Sequence, residues 1–167
     1  MIWWFSMDTR TCSSCLKKLP NKKFEQVLKG ENSYFRTICN ACKIQLANRK
    51  KSATPEAFLR HLLAQLKYSR KKKNPELGWG IDIEDLMDRW HLQEGRCALS
   101  NILMTYAKDG SGNKEFNVSI DRIDPHVGYE PRNIQLVCYR VNVMKHVLPE
   151  EELYWWCKNI VTTKEDF

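Results

Sequence analysis

The chain has 167 residues and a mass of 19.7 kDa, the size of one ordinary domain or two small ones, which excludes a large barrel or a multidomain assembly. Its 43% hydrophobic and 28% charged residues are typical of a globular protein, and its net charge is +7. No apolar run approaches the ~20 residues that span a bilayer, and the N-terminus lacks a signal-peptide pattern. We therefore expect no membrane partner and a cytoplasmic location.

The basic residues are concentrated in the first half of the chain. Residues 1–73 contain 17 Lys and Arg against 4 Asp and Glu, whereas residues 74–167 contain 10 against 16. The first half can attract a polyanion by releasing its counterions, and the second half can supply carboxylates for a cation. The alternative interpretation of the basic first half is a face that is exposed to solvent and binds no polyanion. An anionic membrane would need an apolar helix face beside the basic one, which the sequence does not show.

Four of the seven cysteines form two CxxC pairs, Cys12 with Cys15 and Cys39 with Cys42, separated by 23 residues. Four thiolates at about this spacing can close a tetrahedral zinc site, and a reducing cell interior favours metal binding over disulfides. The segment between the pairs has too few apolar residues to fold without a metal. We predict a structural Zn²⁺ ion in a zinc ribbon over residues 1–52.

Residues 53–94 are predicted to form a helical spacer. Thr54 can cap an amphipathic helix over residues 54–70, because apolar side chains follow it at helical spacing. Asp82 can cap a second helix that ends near Gly95. The basic cluster after the first helix fits two interpretations equally: a helix end that complements its own dipole, or a patch that contacts phosphates.

After the spacer the hydrophobic period changes from that of a helix to that of a strand. We predict a hairpin arm over residues 96–106 and a loop over residues 109–113. Apolar and polar residues alternate over residues 116–121, which predicts a strand that carries Asp121 on the face opposite its apolar side. The remaining predicted elements are a strand at residues 134–137, a helix at about 138–146 and a last helix after Pro149.

Several motifs in this half resemble those of HNH endonucleases, the ββα-metal or His-Me finger family. They are Ser119-Ile120-Asp121-Arg122-Ile123-Asp124-Pro125, Gly128-Tyr129, Asn133-Ile134-Gln135-Leu136-Val137-Cys138 and Asn142-Val143-Met144-Lys145. The order of elements is similar to that of small phage-encoded HNH proteins, which are located in the cytoplasm of the host cell. The resemblance implies an α+β fold in which a zinc ribbon and a helical spacer precede a ββα-metal module with a C-terminal helix over residues 95–167.

The resemblance also implies roles for individual residues. A catalytic divalent cation, Mg²⁺ or Mn²⁺, would be bound by Asp121 at the strand end and by Asn142 in the helix. Asn133 would tie the loop through backbone hydrogen bonds rather than contact the substrate. His146 shares the helix face of Asn142 and is a further candidate ligand, although a solvent-facing histidine at the helix end is the favoured interpretation.

Two features depart from the family pattern. The family's general base is a histidine directly after the aspartate, and Arg122 at this position cannot accept a proton from water. Arg122 could instead bind the scissile phosphate as a catalytic residue, which leaves His126, Asp124, or water and phosphate themselves as the base. Cys97 and Cys138 retain only half of two further CxxC pairs, so we predict that both are buried apolar neighbours rather than zinc ligands.

These features predict a metal-dependent endonuclease that hydrolyses phosphodiester bonds in DNA, most simply double-stranded DNA, leaving 5′-phosphate and 3′-hydroxyl ends as the family does. The alternative is a non-catalytic zinc-ribbon nucleic-acid-binding protein with a degenerate HNH site. A module that binds proteins is disfavoured by the basic first half. The candidate nucleic-acid-binding residues are Lys43, Arg49, Lys50, Lys51, Arg70, Lys71, Lys72, Lys73 and Lys145.

Overall fold

The computed structural model of the chain describes residues 8–73, 76, 78–107 and 114–165. It divides into two compact units, Met1–Lys50 and Lys51–Phe167. The described residues contain three two-stranded antiparallel sheets, five α-helices and two short 3₁₀-helices, Asn21–Lys23 and Lys114–Phe116, which confirms the expected mixture of α and β structure. None of the described helices is both long and apolar enough to cross a membrane. The predicted loop at residues 109–113 lies outside the described residues.

The first unit consists of two hairpins followed by a helix. Its elements are β1 (Thr9–Thr11) paired with β2 (Lys18–Pro20), β3 (Phe24–Lys29) paired with β4 (Asn32–Cys39), and α1 (Asn40–Lys51). The turn between β1 and β2 contains the first CxxC pair, and the junction of β4 with α1 contains the second. The two hairpins therefore bring both pairs to one place.

The second unit contains the remaining regular elements. They are α2 (Pro55–Lys73), α3 (Ile83–Leu92), β5 (Val118–Arg122), β6 (Ile134–Cys138), α4 (Tyr139–Lys145) and α5 (Glu150–Glu165). Both predicted caps form. Thr54 Oγ1 accepts a hydrogen bond from the amide of Ala57 at 3.1 Å, and Asp82 forms a capping box with Asp85. The helices consequently begin where the sequence predicts.

The core of the second unit lies between helices α2 and α3 and the β5–β6 hairpin. Every residue of β6 is buried, including the polar Gln135, so the strand shows no alternation of buried and exposed residues. Phe58 and Leu59 of α2 and Leu86 of α3 belong to the same buried cluster. The helices of the predicted spacer thus share a single core with the strands that carry the HNH-like motifs.

The predicted hairpin arm over residues 96–106 does not form regular strands. Arg96 and Leu103 make one isolated antiparallel bridge, and the chain turns between them with Asn101 at a φ of 56°. The amide of Ala98, at the start of this turn, donates to the carbonyl of Leu136 in β6. The amide of Met104 also donates to the carbonyl of Gly95, and that of Cys97 to Ile102, so the segment does fold back on itself as a short hairpin. The prediction of a hairpin is confirmed in this respect, but residues 96–106 form no extended strands.

Candidate functional site

The four cysteines of the first unit come together as a metal-binding group. Their Sγ atoms lie within 4.8 Å of one another, and within the described residues this is the one group of three or more His, Cys, Asp or Glu side chains that could hold a metal. Cys12, Cys39 and Cys42 are buried, and Cys15 is half-buried. Four thiolates in a closed cluster are the donor set of a structural zinc site, so the residues fit the predicted Zn²⁺.

The protein environment already favours a thiolate at one of these cysteines. Cys12 Sγ accepts hydrogen bonds from the amides of Cys39 at 3.3 Å and Ser14 at 3.4 Å. Backbone amides, that of Cys39 foremost, lower the pKa of Cys12 to about 6. The adjacent Cys39 side chain, followed by burial, raises the pKa of Cys42 to about 12. Metal binding must therefore release protons from this cluster.

A second site, which we call the ββα seam, lies between strand β5 and helix α4. The seam consists of Ser119, Asp121, Asn142 and Lys145. Ser119 and Asp121 alternate onto the same face of β5, and α4 follows β6 directly, so that it packs back across that face. Asn142 Nδ2 donates to Ser119 Oγ at 2.6 Å. The structure therefore brings Asp121 and Asn142 into one polar seam.

Asp121 is bound on several sides within this seam. Lys145 Nζ lies 3.1 Å from its Oδ2 atom and also donates to the carbonyl of Arg122 at 2.8 Å. Gln135, paired opposite Asp121 in the β5–β6 register, donates from Nε2 to the same Oδ2 at 3.0 Å. Nε2 of Gln135 also donates to Glu150 Oε1 at 2.5 Å. The aspartate is thus the centre of a buried polar network.

The prediction that Lys145 contacts DNA is corrected by the structure. Its side chain is 0% exposed, because the ammonium turns inward from the last residue of α4 to meet Asp121. A phosphate cannot reach it in this arrangement. His146 is exposed at the C-cap of α4 with a φ of 50°, as the favoured interpretation of a solvent-facing histidine requires.

The seam does not fit the divalent cation that the resemblance implies. The carboxylate of Asp121 is engaged by the Lys145 ammonium and by Gln135, and the Asn142 amide presents its nitrogen to β5. A cation next to a buried ammonium is opposed by like-charge repulsion. We therefore assign no step of the reaction to Mg²⁺ or Mn²⁺ at this site.

Asn133 holds the loop between β5 and β6. Its Nδ2 donates to the carbonyls of Asp124 at 3.0 Å and Gly128 at 2.9 Å, and its Oδ1 accepts from the amide of Asp124 at 2.9 Å. These are loop-tying bonds of the kind that the resemblance implies. Gly128 is required for the close approach of the chain, because a Cβ there would lie 2.3 Å from the carbonyl oxygen of Gly78.

Arg122 has different partners from those predicted. Its Nη1 donates to the carbonyls of Pro125 at 2.5 Å and Val127 at 3.0 Å, and its guanidinium lies 5.3 Å from the ring centre of Tyr129. A guanidinium used in this way holds its own loop and does not present a free bidentate fork to a phosphate. Arg122 thus stabilises the loop that follows β5. A direct catalytic role for Arg122 stays a prediction.

A cleft of about 350 Å³ lies beside this loop, lined in part by Asp124, His126 and Glu150. Asp124 Oδ1 accepts from the amide of His126 at 2.8 Å, and the His126 side chain is exposed. Glu150 connects the cleft to Asp121 through Gln135. Sequence reasoning missed Gln135 and Glu150. Only the strand register and the start of α5 could have revealed them.

The candidate DNA-binding side chains of the first unit lie along α1. Arg49 and Lys50 are exposed, and Lys51 is half-buried at the end of the helix. Lys43 is exposed but forms an ion pair with Glu25 at 2.5 Å, and this partner lowers the pKa of Glu25. Arg49 and Lys50 are therefore the side chains best placed to meet a phosphate.

The candidates of the second unit lie at the end of α2. Lys71 and Lys72 are exposed, and Lys72 stacks on the ring of Tyr68 at 4.7 Å. Arg70 is half-buried and turns toward Tyr129, with its Nη2 donating to the hydroxyl at 3.4 Å. The side chain of Lys73 lies outside the described part of the chain. The helix end therefore offers Lys71 and Lys72 to an anion.

Cys97 and Cys138 are 2% and 1% exposed, which confirms the prediction that they are buried. Burial, followed by the nearby Cys97, raises the pKa of Cys138 to about 11. The pair belongs to the apolar core, as the sequence predicts.

Comparisons with known proteins add little beyond these contacts. No family model matches the chain, and no curated protein matches its sequence. Among solved structures, the rare-cutting HNH restriction endonuclease PacI, known for its perturbation of DNA, is similar with a TM-score of 0.44 and 16% identity. The match covers 92% of this chain and 94% of that one. A likeness of this degree carries no argument about function, which must rest on the residues themselves.

Proposed function

We propose that this chain is an HNH-type endonuclease that binds double-stranded DNA through its basic helices and hydrolyses a phosphodiester bond beside the ββα seam. One observation carries the proposal. The residues that resemble the HNH motif in sequence meet in space, with Asp121 and Asn142 in one seam and Asn133 fixing the adjoining loop. A chance match of short motifs would not be expected to converge in this way.

The charge distribution supports DNA as the substrate. The exposed basic side chains at the ends of α1 and α2 can release condensed counterions from a polyphosphate. Phosphate contacts position a protein on DNA without reading its sequence, so this part of the interaction supplies affinity. The four-cysteine cluster stabilises the unit that carries one of these helices.

The cleft supplies the group that we propose as the base. Hydrolysis needs a group that accepts a proton from water as the water oxygen attacks phosphorus. The bond between phosphorus and the 3′ oxygen breaks, and the leaving 3′ oxygen takes a proton from solvent. His126 carries an exposed imidazole at the cleft, one turn beyond the strand that holds Asp121. Asn133 and Arg122 fix the backbone from which His126 projects. We assign the base to His126 on this geometry.

Cleavage of supercoiled plasmid tests the proposed function. The parent protein should nick or linearise the plasmid in at least one of three buffers: one with Mg²⁺, one with Mn²⁺ and one without metal. His126→Gln should lower the rate by about 10²- to 10⁴-fold, because it removes the proposed general base. His91→Gln is the matched control, since His91 is an exposed histidine on α3 away from the cleft. Gel quantification of the three plasmid forms gives the rates.

Two results would contradict this assignment. Equal rates for His126→Gln and the parent would remove His126 from the role of base. If the parent binds DNA but cleaves neither DNA nor RNA under any of these conditions, the chain is instead a non-catalytic nucleic-acid-binding protein with a degenerate HNH site.

The salt dependence of DNA binding should reveal the basic helix end. Replacing Lys71 and Lys72 by Gln is expected to reduce the magnitude of the slope of log K against log salt by up to about two, roughly 0.9 for each lost phosphate contact. Fluorescence anisotropy with a labelled duplex at several salt concentrations measures this slope. The control is Lys158→Gln with Lys164→Gln, which removes two exposed lysines from α5. An unchanged slope in the α2 variant would locate the binding surface elsewhere.

A further inference from the structure

The ammonium group of Lys145 lies where oxygen donors converge. Its Nζ is 3.1 Å from Oδ2 and 3.4 Å from Oδ1 of Asp121, and 2.8 Å from the carbonyl oxygen of Arg122. A carboxylate and a backbone carbonyl are the hard oxygen donors that Mg²⁺ also takes. The lysine therefore occupies the oxygen atoms that a cation in this seam would need.

Both partners are withdrawn from solvent. The side chain of Lys145 is 0% exposed and that of Asp121 is 5% exposed. An ionic group buried this deeply is strongly disfavoured without a partner, so each of the two groups depends on the other. An exposed lysine could swing aside for a metal ion at little cost, whereas this one could leave only by breaking a buried pair.

The rest of the seam holds the lysine in place. Asn142, one helical turn before Lys145, donates from Nδ2 to Ser119 Oγ at 2.6 Å and so anchors α4 to β5. Gln135 occupies another side of Asp121. A divalent cation on the aspartate would lie within about 4 Å of the ammonium, where like charges repel strongly even at a moderate dielectric constant.

We propose that Lys145 supplies the positive charge of the ββα seam in place of a divalent cation, and that the seam of this protein binds neither Mg²⁺ nor Mn²⁺. Lys145 is a positioning residue. It holds the Asp121 carboxylate and the Arg122 carbonyl at the end of β5, from which the loop carrying His126 departs. One consequence rests on the proposed function: cleavage should need no added divalent cation.

A Mn²⁺ binding measurement tests this inference without relying on a cleavage assay. The zinc-loaded full chain is titrated with Mn²⁺, and free Mn²⁺ is followed by electron paramagnetic resonance. Zinc keeps the thiolates, because it binds them far more tightly than manganese does. The parent should leave the Mn²⁺ signal unchanged. Lys145→Ala should lower the free Mn²⁺ signal, with an affinity at least about tenfold above the upper limit that the unchanged signal sets for the parent, because the competing charge is gone.

Further variants connect any new binding to the seam. Adding Asp121→Asn to Lys145→Ala should abolish the gained Mn²⁺ binding. Lys158→Ala, which removes an exposed lysine of α5, should behave as the parent does. If Lys145→Ala does not fold, Lys145→Met replaces it, since methionine keeps the apolar stem that fills the buried space.

Several outcomes would overturn the inference. One is Mn²⁺ binding by the parent that disappears in Asp121→Asn. Another is a folded Lys145 variant that binds no Mn²⁺, which would mean that the seam is not a cation site at all.

Plasmid assays in metal-free buffer give a second test of the inference. The buffer is prepared by dialysis so that zinc is retained. Equal cleavage with and without Mg²⁺ supports the inference, and cleavage only with Mg²⁺ or Mn²⁺ overturns it. Absence of cleavage everywhere contradicts the proposed function, while the Mn²⁺ titration still decides the inference.

Discussion

Cys39→Ser is expected to release the zinc and to unfold the first unit while the second unit stays folded. The buried core of the first unit consists of Cys12, Phe24, Cys39 and Cys42, so three of its four buried residues are metal ligands. Structural zinc contributes about 10–16 kcal/mol to small zinc-binding folds at neutral pH. One phenylalanine contributes only about 1.5–3 kcal/mol by burial. The unit therefore has no second source of stability of comparable size.

Zinc content and amide exchange together measure this effect. The parent should contain one zinc per chain and Cys39→Ser none, with loss of amide protection confined to residues 8–50. Cys157→Ser is the matched control, because Cys157 is a free cysteine of α5 outside the cluster. Two zincs per chain in the parent would show that Cys97 and Cys138 are ligands after all. Retained protection in Cys39→Ser would mean that the hairpins fold without metal.

The zinc cluster and the helix starts were accessible from the sequence because both depend on local spacing. Two CxxC pairs specify their metal site wherever the intervening hairpin folds back, and Asp82 caps α3 through its own neighbours. The alternation that leads to Asp121 likewise predicts strand β5. In each case the information lies within a few residues of the element that it specifies.

The partners of the seam residues were not accessible in this way. Lys145 looks like a basic residue at a helix end, and its burial follows only from the way α4 packs across β5. The partner of Gln135 depends on the β5–β6 register, which sets it opposite Asp121. Arg122 was expected to face a phosphate, yet the turn after β5 brings two carbonyls within reach of its guanidinium. Tertiary packing decides all three.

Asp121→Ala is expected to lower the free energy of unfolding of the second unit by about 3–5 kcal/mol, because it leaves the Lys145 ammonium buried without its carboxylate. Urea denaturation followed by the fluorescence of the unit's tryptophans measures the loss. Asp88→Ala is the matched control, since Asp88 is an exposed aspartate on α3, and it should change stability by less than about 0.5 kcal/mol.

A double variant separates loss of the ion pair from loss of packing. Asp121→Leu combined with Lys145→Met replaces both charges by apolar side chains, and such replacements of buried pairs are often neutral or stabilising. The double variant should therefore be more stable than Asp121→Ala. The coupling between the two positions should lie within the range of about 0.5–3 kcal/mol that residues in contact show. If Asp121→Ala lowers the free energy of unfolding no more than Asp88→Ala does, water has replaced the carboxylate as the partner of the Lys145 ammonium. The seam would then be open to solvent, and the argument that Lys145 excludes a divalent cation would fail with it.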